Sequence, residues 1–351
     1  MKTNFNQIGS WRVRLKGAAM VCLAGLPLVF IPDFPAPMPG PAVVKLPAGV
    51  TDAEIQQALD ALPAGGGEVV LPAGRIEVHR PIILSRDNQT LRGAGAATIL
   101  HLADNANCPV IILGEPLNAP SRTIRHLKVA GFFVDGNRAH QQRESWRLAG
   151  EGSEIRNNGI IAQNVSDSTV ENVTCARCRS GGLVTTHGVR WLTVRNLTAF
   201  DNQFDGLACY QTEDCLFTGL SLHDNPGAGI SLDLDFNHNV VSNAVLVAND
   251  LGVFMRASRG NQFCNISIRG SRHYGVFMAQ AETPTPLGWE PVPQTECAEN
   301  SFTNLSARDC GGAAFRVNDT TCTNNVVISP KFDDDAQGGL SLAGPDLVAV
   351  Q

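Results

Sequence analysis

Lysine is almost missing from this sequence: Lys2, Lys16, Lys45, Lys128 and Lys331 are all of it. Arginine carries the positive charge, and 27 basic residues face 33 acidic ones, for a net charge of −6. No basic stripe with interleaved aromatics runs through the chain, which excludes a nucleic-acid partner of the ordinary kind. Aromatics are sparse at 6%. Helical periodicity is scarce too, which excludes a helix bundle. The one long apolar run, residues 17–31, is too short for a spanning helix. It follows the basic stretch MKTNFNQIGSWRVRLK, and together they read as a secretory leader. Export to the periplasm, cell envelope or medium is the expectation, with an uncleaved N-terminal anchor as the alternative. PDFPAPMPGP then reads as a linker, so residues 1–38 stand apart from a single domain at 39–351.

The ten cysteines support no metal motif, because Cys175 and Cys178 form one CxxC with no second pair. Cys22 would leave with the leader. Cys297 and Cys322 lie about one repeat apart and are placed to stack and bridge. Cys209 falls at an inward position, where a thiol acts as a small hydrophobe.

What is abundant is glycine, 34 residues, in a chain that is 43% hydrophobic and long enough for a sizeable core. Gly159, Gly182, Gly206, Gly229, Gly252 and Gly275 recur every 23 or 24 residues, each opening a short alternating segment: GIIA, GLVT, GLAC, GISL, GVFM and GVFM. A second apolar run follows about ten residues on, as in VENVTC, WLTVRNLT and CLFTGLSL. Alternation marks strands with one buried face. Self-similarity sustained at one period marks stacked coils. The expected fold is an all-β, single-domain parallel β-helix of about 23 residues per coil, with equivalent positions about 4.8 Å apart in ladders.

These segments, with TDAEIQQALDALPAGGGEVVLPAG before them, resemble the right-handed parallel β-helix superfamily that includes pectate lyases. Thr51 or Asp52 is placed to cap a short helix over 52–62, with Ile55, Leu59 and Leu62 on one face, covering the open end of the stack. Asn172, Asn196, Asn243, Asn265 and Asn304 recur as a structural ladder. Phe217 with Phe263, and Met255 with Met278, read as core.

Counting the repeated glycine as zero, positions one and three point in and two and four point out. Position four reads Gln163, Thr186, Tyr210, Asp233, Arg256, Ala279. Tyr210, Asp233 and Arg256 therefore form an outward row, with Asp205, His187 and Asp235 near it. The bland reading is an Asp–Arg pair on a solvated face, worth about 0.2–1 kcal/mol. Two insertions favour a site: 137–157, with Trp146, and 282–296, with Trp289. Both would wall a groove, and long loops in a solenoid tend to mark its binding face. Each Trp either stacks on a sugar ring or packs its own loop.

The superfamily resemblance implies a polysaccharide substrate. For β-elimination or C5-epimerisation of a uronate, Arg256 would bind the carboxylate, and Tyr210 and His187 would move protons. Asp233 with Asp235 or Asp205 would supply oxygens for Ca²⁺. Hydrolysis would use paired Asp residues, although the Asn-Thr-Asp, Gly-His-Gly and Arg-Ile-Lys strings of the polygalacturonase branch are absent. A local resemblance points to the mannuronan C5-epimerases, whose Tyr-Gly-x-Asp-Pro-His is answered here by Ser180 to His187. His187 matches and the Tyr and Asp do not, while Phe204-Asp205-Gly206 matches the x-Asp-Gly of the next coil. A non-catalytic carbohydrate-binding or structural solenoid is the remaining alternative.

Overall fold

A computed structural model describes residues 42–146, 155–281 and 295–343, with the backbone of 347–350. The leader, the linker, Cys22 and Trp289 lie outside the described residues, as do 147–154 and 282–294 of the two insertions.

The chain from residue 42 is a parallel β-solenoid of about 12 turns, built from a 15-stranded and a 14-stranded sheet. Each repeated Gly opens a strand of the 14-stranded sheet, as in Leu183–Thr186, Leu207–Glu213 and Leu251–Arg256. Each second apolar run is a longer strand of the other sheet, as in Thr169–Ala176, Thr193–Phe200 and Leu216–His223. Every rung pairs in parallel register with the next, so Ile160, Leu183, Leu207, Ile230, Val253 and Val276 stack as one column. That column is fully buried, as is the one two residues on, which holds Cys209, Met255 and Met278. The pleat put positions one and three inside, as the alternation predicts.

The repeated glycines answer to crowding between rungs. A Cβ at Gly159 would stand 2.7 Å from the carbonyl oxygen of Gly182, and one at Gly252 would stand 2.4 Å from that of Gly275. No side chain fits where consecutive rungs close this tightly, so the 23-residue glycine period is a signature of the stacking itself.

The expected asparagine ladder is present on the outer bend of the longer strands. Asn172, Asn196, Asn243, Asn265 and Asn304 all hold left-handed backbone, with φ of 52–57°. Asn196 donates to Asn172 at 2.9 Å and Asn304 to Asn265 at 3.0 Å. Gly219, at φ 67°, fills the same column, where the Asn196 amide leaves no room for a side chain. Two further asparagine ladders, not anticipated, are buried. Asn202, Asn225 and Asn249 form one; Asn239, Asn261, Asn300 and Asn325 form the other. Each side chain after the first accepts the backbone N–H of the preceding ladder member, the first members accept from Cys178 and Cys215 N–H, and each donates to a backbone carbonyl, as Asn225 does to Ala199 O at 3.2 Å. They meet the hydrogen-bonding demand of buried corners that have no ladder of their own.

Helix α1 (Asp52–Ala61) starts with a capping box between Thr51 and Glu54 and buries Ile55 and Leu59. The strand Ile82–Leu84 ends the 14-stranded sheet, and the Gln56 amide meets both Ile83 N–H, at 2.8 Å, and Ile83 O, at 3.1 Å. Asp52 accepts from His79 and Arg80 N–H in the same way. The helix thus satisfies backbone that would otherwise be open for pairing.

Phe217 and Phe263 are core residues two rungs apart with Val241 between them; Phe263 stacks on Phe302 at 4.3 Å and Phe217 tilts against Phe236 at 5.8 Å. Cys175, Cys178 and Cys209 are free buried thiols, and Cys297 and Cys322 are free thiols in contact. Among the described residues no helix is long and apolar enough to cross a membrane.

Candidate active site

The outward face of the 14-stranded sheet carries three columns that cross six rungs. The residues preceding each repeated glycine form the first: Asn158, Gly181, Asp205, Ala228, Leu251, Tyr274. Position two gives Ile161, Val184, Ala208, Ser231, Phe254, Phe277. Position four gives Gln163, Thr186, Tyr210, Asp233, Arg256, Ala279. Their register is fixed by the pairings Ile161↔Val184↔Ala208↔Ser231↔Phe254↔Phe277, Gln163↔Thr186, Tyr210↔Asp233 and Arg256↔Ala279.

Over the first three rungs the columns form a pocket of about 100 Å³. Its floor is apolar: Ile161, Val184 and Ala208 join Ile112 and Ile155 in a small cluster of their own, with Tyr210 and Trp146 packed against it. Its polar lining is Asn118, Arg156, Asn158, Gln163, Thr186, His187, Asp205 and Tyr210. The structure therefore brings Tyr210, His187 and Asp205 together. It adds Arg156 and Asn118, which periodicity cannot find because they sit on excursions from the coil. The 137–157 insertion returns by pairing Ser145 with Arg156 and Trp146 N–H with Ile155 O, at 3.0 Å. Glu144 forms an ion pair with Arg156, and Asn118 on the loop 114–123 faces Ile155. That loop is pinned by Gln163, whose amide donates to Glu115 O and Leu117 O.

The electrostatics differ sharply between the members. Burial pushes the Asp205 carboxyl up to about 6; Asp233 adds to the rise, while Arg156 and the Ala228 N–H, which donates at 2.7 Å, oppose it. Burial likewise raises the Tyr210 phenol, with Asp205 and Asp233 adding to the effect, so Tyr210 keeps its proton. His187 moves the other way. It is half-buried on a left-handed turn (φ 58°), and desolvation holds its pKa below the ordinary histidine value, leaving the ring neutral at pH 7.

Asp233 and Arg256 stand in the row but face each other. Asp233 is 3% exposed, and its Oδ2 accepts from Arg256 Nε at 3.0 Å and again from Nη2. Its Oδ1 finds no partner among the described residues. Burial raises the Asp233 pKa against the pull of Arg256. Asp235 lies in an adjoining cleft with Arg190, Gln211 and Glu213, and His187 borders both spaces. Trp146 is half-buried, packs against the main core and the pocket floor, and lines a separate cleft beside helix α1. Asp205, Asp233 and Asp235 thus answer separate partners and spaces. Among the described residues no three His, Cys, Asp or Glu side chains converge as a metal-ligand set.

A family model described as right handed beta helix region matches residues 121–245 and 183–346. The mannuronan C5-epimerase AlgE4 of Azotobacter vinelandii is 28% identical over 194 residues, which are 52% of this chain and 34% of that protein. The chain therefore matches about a third of the length of that curated relative. Among solved structures, Geobacillus virus E2 ORF18 aligns with a TM-score of 0.64 at 14% identity, covering 85% of this chain and 57% of that one. An alginate lyase from Paenibacillus sp. str. FPU-7 aligns at 0.59 with 11% identity, covering 87% and 99%. At such identities the solved structures establish the fold.

Proposed function

The chain belongs to the right-handed β-helix family, and from that premise we propose that it binds an acidic polysaccharide along its outer face and removes the C5 proton of a uronate unit. The reaction is elimination or epimerisation. One observation carries the reading: a histidine with a lowered pKa, a protonated tyrosine, an arginine and a carboxyl raised to about 6 line one pocket with an apolar floor. The local likeness to a mannuronan C5-epimerase supports the same chemistry.

The residues divide the work as follows. Arg156, with the amides of Asn118 and Asn158, binds the substrate carboxylate at the pocket wall. Asp205 accepts Ala228 N–H through Oδ1, which leaves Oδ2 to carry a proton and donate to that carboxylate. A neutral carboxylic acid there draws charge from the uronate and makes its C5 proton easier to remove. His187 accepts the C5 proton, and the electron pair passes into the carboxyl group. In epimerisation Tyr210 returns its proton to C5 from the opposite face. In elimination the C4–O bond breaks, a C4=C5 double bond forms, and Tyr210 protonates the leaving oxygen.

Hydrolysis is the second reading, favoured by the fact that two carboxyls on adjacent rungs, Asp205 and Asp233, are both raised by burial. The claim of Arg256 on Asp233 counts against it. Turnover on uronate polymers with Tyr210→Phe separates the two readings. Loss of at least about 100-fold in kcat with KM little changed supports proton transfer by Tyr210. Undiminished release of reducing ends supports hydrolysis.

A further inference from the structure

The three columns that make the pocket continue for three more rungs, and their chemistry changes there. Beyond the Asp233–Arg256 pair, position two becomes aromatic. Phe254 and Phe277 are successive members of that column, with ring centroids 5.9 Å apart and planes within 5°. Tyr274, from the column that supplies Asp205 to the pocket, closes on Phe277 at 5.4 Å. The Arg256 guanidinium lies 5.1 Å from the Phe254 ring centre. None of these rings belongs to the core, which here is Val253, Met255, Val276 and Met278 on the other face of the same strands. All three are half-buried.

We propose that Phe254, Phe277 and Tyr274 form a second binding site, a stacking platform for two sugar units of the polymer whose reacting unit occupies the pocket. The proposal rests on the reading of the pocket as a uronate site. Three features select a polysaccharide as the occupant. The platform is continuous with the pocket along the same columns, and at about 4.8 Å per rung its centre lies about 10–15 Å from Tyr210, so one chain reaches both. The Phe254 and Phe277 rings run parallel and Tyr274 is tilted 30° to Phe277, so the three together offer outward apolar surface against which the C–H face of a pyranose can be buried from water. Arg256, held by Asp233 and lying over Phe254, borders the rings where a uronate carboxylate would project, so the platform favours acidic sugars over neutral ones. In this arrangement Arg256 is a specificity residue for a neighbouring unit, while Arg156 serves the reacting one.

The test uses the full chain, with oligomannuronate and oligogalacturonate as probes, each as a dimer and as an octamer, and binding read by calorimetry. The wild type is expected to bind the octamer of at least one series tenfold or more tightly than its dimer. The double variant Phe254→Ala/Phe277→Ala should lose that preference and keep its dimer affinity, while Phe254→Tyr/Phe277→Tyr should retain it. Both changes lie outside the core, and an unchanged circular dichroism spectrum checks the fold. An Ala variant that keeps the octamer preference overturns the platform and leaves the pocket reading standing. A platform that responds as expected in a wild type that turns over neither polymer upholds the platform and overturns the pocket chemistry. Failure of the wild type to bind either series overturns both.

Discussion

Replacing Asp205 by Asn should make the protein more stable, and the gain should depend on pH. The carboxyl is raised from 3.8 to about 6 by burial. A shift of two units corresponds to about 3 kcal/mol between its protonation states. Asp205 is half-buried as a residue and lines an open pocket, so about 1–3 kcal/mol is the expected range. Between pH 4 and 6 the native protein holds a proton that the unfolded chain has released. Wild-type stability therefore falls as pH rises through that window and levels off above it. Asn keeps the acceptor for Ala228 N–H but has no charge to bury. The difference between variant and wild type should be near zero at pH 4 and reach its plateau by pH 7. Urea unfolding midpoints at unit steps from pH 4 to 8 would measure it. A difference that stays flat across the range, or an Asn variant that is less stable at pH 7, would refute the assignment of a buried, proton-holding carboxyl. The same variant tests the role of Asp205 in turnover, since an amide also donates a hydrogen bond.

Four other outcomes follow from the same geometry. The kcat/KM profile should be bell-shaped on the acid side of neutrality, rising as His187 loses its proton and falling near pH 6 as Asp205 ionises, and Asp205→Asn should extend activity to higher pH. Asn225→Ala should cost about 2–4 kcal/mol, because it strands the Asn202 backbone N–H and Ala199 O in a buried corner and takes one acceptor from the Asn202 amide. Asn196→Ala, on the exposed ladder, should cost about 1–2 kcal/mol through its left-handed backbone alone, and thermal midpoints of the two variants would show the contrast. Arg256→Ala should cost about 3–5 kcal/mol by leaving Asp233 buried and unpaired, with Asp233→Asn restoring most of it. Thr51→Ala should cost about 1 kcal/mol and raise amide exchange in the first turn of α1.

The parts of the structure written in a period could be read from the sequence. Gly159 to Gly275 mark where rungs touch, and the residues after them alternate, so the inward columns and the row from Gln163 to Ala279 follow from counting. The buried ladder Asn202–Asn225–Asn249 carries the same 23- and 24-residue spacing and was open to the same count. Its role is hidden because it satisfies backbone at corners that only the folded coil creates. The site was legible in part. Tyr210, His187 and Asp205 come from the repeat, whereas Arg156 and Asn118 come from excursions with no period. That Asp233 is held by Arg256 depends on side-chain rotamers, and the aromatic column at Phe254 and Phe277 emerges only once its continuity with the pocket is known. Trp146 lies against the body because the two ends of its insertion pair with each other.

The most direct test of the central claim is C5 proton removal itself. The full chain is incubated in deuterated water with polymannuronate and polygalacturonate, following ultraviolet absorbance, reducing ends and the C5 signal by NMR. The account predicts either unsaturated, ultraviolet-absorbing ends or deuterium appearing at C5, on at least one polymer, with Tyr210→Phe abolishing the signal. Reducing ends released with neither unsaturation nor deuterium at C5 would contradict it.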